Sequence, residues 1–80
     1  MKTYLIKYGI RVGEFEYSDS LRVKAKNAST AEELAEKKLA EWYDPKYWAG
    51  EYREPRLGFA MEITEAEAKT LNRLGLSWEI

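Results

Sequence analysis

The groups in this 80-residue chain best able to do chemistry are 14 carboxylates and 13 lysine or arginine side chains, because it contains no histidine and no cysteine. Their absence removes the two commonest transition-metal ligands, the usual neutral-pH general base and any thiolate nucleophile. Glu32, Glu33 and Glu36 cluster in sequence. A catalytic carboxylate pair needs a shared cleft that drives two pKa values apart, whereas a run of this kind on a helix ordinarily faces solvent. A calcium loop requires D-x-[DN]-x-[DN]-G, and only the fragment Ser18-Asp19-Ser20 approaches it. Gly9, Gly13, Gly50, Gly58 and Gly75 are too dispersed for a phosphate-cradling loop. The chain therefore reads as a non-enzyme, with no catalytic residue, metal site or cofactor expected.

What remains is suited to contact. The segment "WYDPKYWAGEYREP" (42–55) concentrates tryptophan and tyrosine between two prolines and a glycine. Tyr47, Trp48, Tyr52, Arg53 and Arg56 are of the residue types enriched at interface hot spots, and Asp44, Glu51 and Glu54 interleave with them. The competing reading is that Trp42 to Tyr47 fold back as a lid on a small core. Charge is polarised along the chain although the net is only -1. Residues 1–26 carry six basic and three acidic side chains, and residues 27–44 carry two basic and five acidic. Lys7, Arg22, Lys24 and Lys26 form a second candidate set, a basic sheet face able to follow a phosphate backbone. Single-strand readers also place aromatic platforms on such a face, and here every strand aromatic is expected to point inward.

The elements that position these groups follow from periodicity. From Tyr4 to Val12 every even residue is apolar; after Gly13 the apolar set is odd, at Phe15, Tyr17, Leu21, Val23 and Ala25. That parity switch predicts strands over 2–12 and 15–26, joined by a two-residue turn that opposes Val12 to Phe15 and Arg11 to Glu16. Asp19 interrupts the pattern and is read as a bulge or kink. Ala31, Leu34, Ala35, Leu39 and Trp42 recur at helical spacing, and Ser29-x-x-Glu32 or Thr30-x-x-Glu33 supplies a capping box, so a helix is predicted over 30–43. After the aromatic loop, 44–56, alternation of Leu57, Phe59, Met61 and Ile63 predicts a third strand over 57–63 buried on one side. Thr64 and Glu67 box a helix over 65–74 that Gly75 ends, and Leu76, Trp78 and Ile80 suggest a short edge strand over 76–80. The sum is a single α+β domain, ββαβα(β), with a mostly antiparallel sheet of order 2-1-3 and helices packed on one face.

The hairpin followed by "NASTAEELAEKKLAEWY" resembles very short phage and prophage proteins, among them anti-CRISPR proteins built on small ββα-containing sheets. The resemblance is architectural and covers residues 2–43. It implies a stoichiometric inhibitor that binds a CRISPR-Cas effector subunit of the Cascade type and blocks target-DNA recruitment. In that setting Glu33, Glu36, Asp44, Glu51 and Glu54 would steer toward a basic channel while the aromatics anchor. The alternatives are a small nucleic-acid-binding module and a phage structural or assembly component. No apolar run approaches the ~20 residues needed to span a bilayer, so a cytoplasmic monomer or weak dimer with no membrane association is expected.

Overall fold

The computed structural model describes residues 1–12, 14–43 and 53–80. Strands β1 (Lys2–Val12) and β2 (Phe15–Ala25) form a long antiparallel hairpin. Their register runs unbroken from Lys2 opposite Ala25 to Val12 opposite Phe15 and includes the Arg11–Glu16 pair. The parity switch thus locates the turn, because an odd shift would move every apolar side chain to the wrong face. Asp19 is not a bulge: it sits in register opposite Tyr8. Its carboxylate accepts from the Ser20 N–H at 2.8 Å and from the Trp78 indole N–H at 2.8 Å, which satisfies a polar residue within the ladder.

Helix α1 (Ala28–Trp42) begins two residues before its predicted start. The Asn27 side chain is the N-cap and accepts from the Thr30 N–H at 2.8 Å, so neither predicted capping box forms. Glu32 is diverted across the molecule, where it accepts from the Ala60 N–H at 3.0 Å. Ala31, Ala35 and Leu39 are buried against Tyr4, Ile6, Tyr8, Ile10, Leu21, Val23 and Ala25, and these residues are the main core.

The single strand expected over 57–63 is two, β3 (Arg53–Leu57) and β4 (Met61–Ile63), both antiparallel to β1. Leu57 faces Tyr8 and Met61 faces Leu5, so three residues on one side span two on the other, which makes a β-bulge. The Gly58 N–H still donates to the Lys7 carbonyl at 2.8 Å. A Cβ at Gly58 would lie 3.3 Å from that same oxygen, a close approach that favours glycine. β3 also takes in Arg53, Glu54 and Arg56, assigned to a loop from sequence, and Pro55 is tolerated because this is an edge.

The bulge changes which side the strand presents. Leu57 packs on the α1 core, Phe59 is almost wholly exposed, and Met61 and Ile63 turn to the opposite face. There α2 (Glu65–Leu74) covers Leu5, Met61 and Ile63 with Ala66 and Leu71. The helices therefore divide between the two faces of the sheet, where the apolar pattern alone places both on one. α2 has the predicted Thr64–Glu67 capping box, complete in both directions, and ends at Gly75 with φ 67°, a left-handed conformation suited to glycine. The chain closes with β5 (Trp78–Glu79), parallel to β2, giving sheet order β3-β1-β2-β5 with β4 also against β1. The result is an α+β fold with a mostly antiparallel sheet, five-stranded among the described residues, and it preserves the predicted 2-1-3 neighbour order.

Candidate partner-binding surfaces

Two surfaces emerge, one on each side of the sheet. On the α1 side, a 15-residue helix is about 22 Å long while an 11-residue strand reaches about 37 Å, so one helix cannot roof the hairpin. Phe15 and Tyr17 share the α1 side with Leu21 and Val23 yet are 69% and 60% exposed at the hairpin tip. The expectation that every strand aromatic is buried is corrected here, because apolar parity fixes a side chain's face and not its cover.

Where α1 ends, aromatic and polar groups converge. Trp42 meets Trp78 edge to face, with centroids 6.3 Å apart and planes at 69°, and Lys38 Nζ lies 5.9 Å from the Trp42 ring. Trp78 is held by its indole bond to Asp19 yet remains 57% exposed. Beneath it the Tyr8 hydroxyl is pushed well above the usual phenol range, first by burial, then by its hydrogen bond to Tyr43 and the nearby Tyr43 and Asp19 charges. Tyr8 therefore stays a neutral phenol at any physiological pH, a structural tie rather than an acid or base. Glu33 and Glu36 are exposed on α1, and Ala40 and Glu41 are exposed nearer its end. Spacing of three and four residues puts Glu33, Glu36 and Ala40 on one face, the outer one, away from Trp42 and the buried Ala35 and Leu39.

The second surface is altered from its sequence form. Arg22 does not lie on an open face: it is 7% exposed, pinned under α2. One terminal nitrogen donates to the Ala68 carbonyl at 3.3 Å, and the other donates to Asn72 Oδ1 at 2.9 Å and to the Ser77 carbonyl at 3.5 Å. The guanidinium thus ties the sheet to the Ala68 carbonyl within α2, to the Asn72 side chain in its last turn and to the Ser77 carbonyl beyond it. Its Nε and the Ser77 Oγ are buried without a hydrogen-bond partner among the described residues. Arg22 is accordingly withdrawn from the nucleic-acid set. Lys7, Lys24 and Lys26 are exposed, and Arg56 is exposed opposite Gly9, diagonal to Lys7. Those two cations flank the part of this face beyond the end of α2, with Ser18, Ser20 and Leu76 along its other side.

Of the aromatic-loop residues, Asp44, Tyr47, Trp48, Glu51 and Tyr52 lie outside the described residues, and Arg53 and Glu54 are placed only as backbone in β3. Sequence reasoning missed Trp78 and Asp19 as a pair and the exposure of Phe15 and Tyr17. The length mismatch between helix and hairpin was the available signal for the latter. Among the described residues there is no group of three or more acidic side chains placed to hold a metal ion, and no helix is long and apolar enough to cross a membrane. Comparison with protein-family models, curated proteins and solved structures finds no match to this chain.

Proposed function

We propose that this chain acts by stoichiometric binding to a protein surface, as an anti-CRISPR-like inhibitor that occupies a CRISPR-Cas effector subunit and blocks target-DNA recruitment. The observation that carries this reading is the layout of α1. Glu33 and Glu36 are exposed on its outer face, and beside its C-terminal end stands Trp78, more than half exposed and braced by Trp42 and Asp19. Carboxylates steer association with a basic channel and raise its rate, while a rigid indole supplies the desolvated anchor that gives residence time. Lys37 follows Glu36 directly and lies one turn from Glu33, so the face is not uniformly acidic. The target class rests on the resemblance of residues 2–43.

The test is a pull-down against purified type I and type II effector complexes followed by competition with target DNA. Binding that displaces DNA, and that weakens at least tenfold in Trp78→Ala and falls steeply with salt in the wild-type chain, supports the reading. No association with any effector at micromolar concentration removes it. A second reading has one observation in its favour: exposed Lys7 and Arg56 sit diagonally on the part of the α2-side face that no described helix covers. It predicts a nucleic-acid gel shift lost in Lys7→Ala with Arg56→Ala, unaffected by Trp78→Ala, and strongly weakened by salt.

A further inference from the structure

We propose that the tip half of β2 pairs antiparallel with the same segment of a second copy, in a register that sets Tyr17 opposite Tyr17. β5 pairs with β2 only at Leu21 and Arg22, so from Phe15 to Ser20 the outer edge of β2 has no strand beside it among the described residues. Which backbone groups face out along that edge follows from the hairpin. Val12 and Phe15 flank a two-residue connection, so Phe15, Tyr17 and Asp19 exchange hydrogen bonds with β1. Glu16, Ser18, Ser20 and Arg22 therefore point their N–H and C=O away from it. The Ile80 N–H donating to the Arg22 carbonyl at 3.1 Å fixes this parity independently.

The Asp19 carboxylate occupies the outward N–H of Ser20. Both outward groups of Glu16 and of Ser18 remain, and this set is complementary to itself. About a two-fold axis at Tyr17, Glu16 of one copy faces Ser18 of the other twice over, giving four main-chain hydrogen bonds and leaving none of those four groups unpaired. Shifting the register by two residues toward the sheet interior would require the Ser20 N–H that Asp19 has already taken.

The side chains agree with the backbone. In this register Tyr17 meets its own copy and Phe15 faces Asp19, the residue that holds Trp78. Phe15, Tyr17 and Trp78, all more than half exposed in the single chain, would join into one apolar strip on the α1 side. On the other side Glu16 faces Ser18 and Glu14 faces Ser20, so no like charges stand directly opposed. The edge from Phe15 to Ser20 carries no lysine, proline or bulge of the sort that usually guards an open strand. Four hydrogen bonds and a short aromatic strip make a small interface, suited to reversible self-association rather than an obligate dimer.

The experiment uses the full chain, which has no native cysteine to interfere. A non-hydrogen-bonded antiparallel pair brings Cα atoms to about 4.5 Å, within disulfide range. Tyr17→Cys should therefore cross-link to a covalent dimer under mild oxidation, while Lys24→Cys, exposed on the same strand outside the pairing segment, should not. In sedimentation equilibrium without any other protein, the wild-type chain should show a monomer–dimer equilibrium. Ser18→Pro removes an outward N–H that the hairpin does not use and should weaken that equilibrium at least tenfold with an unchanged circular dichroism spectrum. A strictly monomeric chain at millimolar concentration overturns the proposal, as does a dimer that survives Ser18→Pro or cross-linking that is as fast at Lys24→Cys as at Tyr17→Cys. Should Ser18→Pro fail to fold, Tyr17→Ser gives the same readout. None of these outcomes depends on whether an effector complex is bound.

Discussion

Helices α1 and α2 lie on opposite faces of one sheet and are held by opposite means. α1 has a plain Asn27 cap, no acidic residue in its first turn and no basic one in its last, but it buries Ala31, Ala35 and Leu39 fully. α2 buries none of its residues, yet it has a complete capping box, Glu65 and Glu67 at its first turn, Arg73 at its last and a left-handed Gly75. It is further tied to the sheet by the Arg22 side chain. One helix is stabilised by what it covers and the other by how its ends are finished, so they should respond to different perturbations.

The largest effect should come from Leu39→Ala, which removes a fully buried side chain between α1 and the sheet. A loss of roughly 2–5 kcal/mol is expected, read as a lowered urea midpoint with all elements melting together. Arg22→Ala comes next, at about 1–3 kcal/mol, because it frees the Asn72 amide and the Ser77 carbonyl and empties a buried volume. Its signature separates the helices: amide exchange should speed up along α2 while α1 keeps its protection. An equal loss in both would show that the two layers unfold as one. Gly75→Ala and Thr64→Ala, each about 1 kcal/mol, should likewise loosen α2 alone, the first by forcing an alanine into a left-handed backbone and the second by breaking the cap.

Two pH responses sharpen the same contrast. On the α2 side the Glu67 carboxyl is held below its usual range by bonds from the Thr64 backbone and hydroxyl. Its contribution is present above the ordinary carboxylate pKa and lost as pH falls through the lowered one, so α2 should fray first in acid. On the α1 side Tyr8 has a raised pKa, so its contribution is full below the ordinary phenol value of 10.0 and is lost as pH climbs above it. Tyr8→Phe should therefore flatten the alkaline end of the stability profile, measured by urea titration, and leave the acid end unchanged.

Much of this architecture was legible in the residues. The even-to-odd change at Gly13 fixed the hairpin register residue by residue, and Thr64, Glu67 and Gly75 bounded α2 as predicted. Three things were not legible. Leu57, Phe59, Met61 and Ile63 alternate as cleanly as any buried strand, so the extra residue that turns Met61 and Ile63 over leaves no mark in the pattern. Arg22 reads as a surface cation because nothing local announces a helix arriving from 46 or more residues away. β3 was hidden by a proline and three charges in five residues, a composition that an edge strand accepts. For the candidate surface, sequence placed Glu33 and Glu36 correctly on the solvent side of α1, but the pairing of Asp19 with Trp78 spans 59 positions and exists only after the sheet has assembled.

The bulge at Gly58 to Ala60 works as a shift of reading frame. Before it the strand addresses the α1 layer, and after it the same strand addresses α2. What the extra residue supplies is a change of face for everything after it, relative to unbroken alternation. Phe59, 93% exposed, should tolerate serine with almost no loss, and deleting it should leave a continuous strand with Leu57 still opposite Tyr8 and with Met61 and Ile63 still opposite Leu5 and Thr3 on the α2 side.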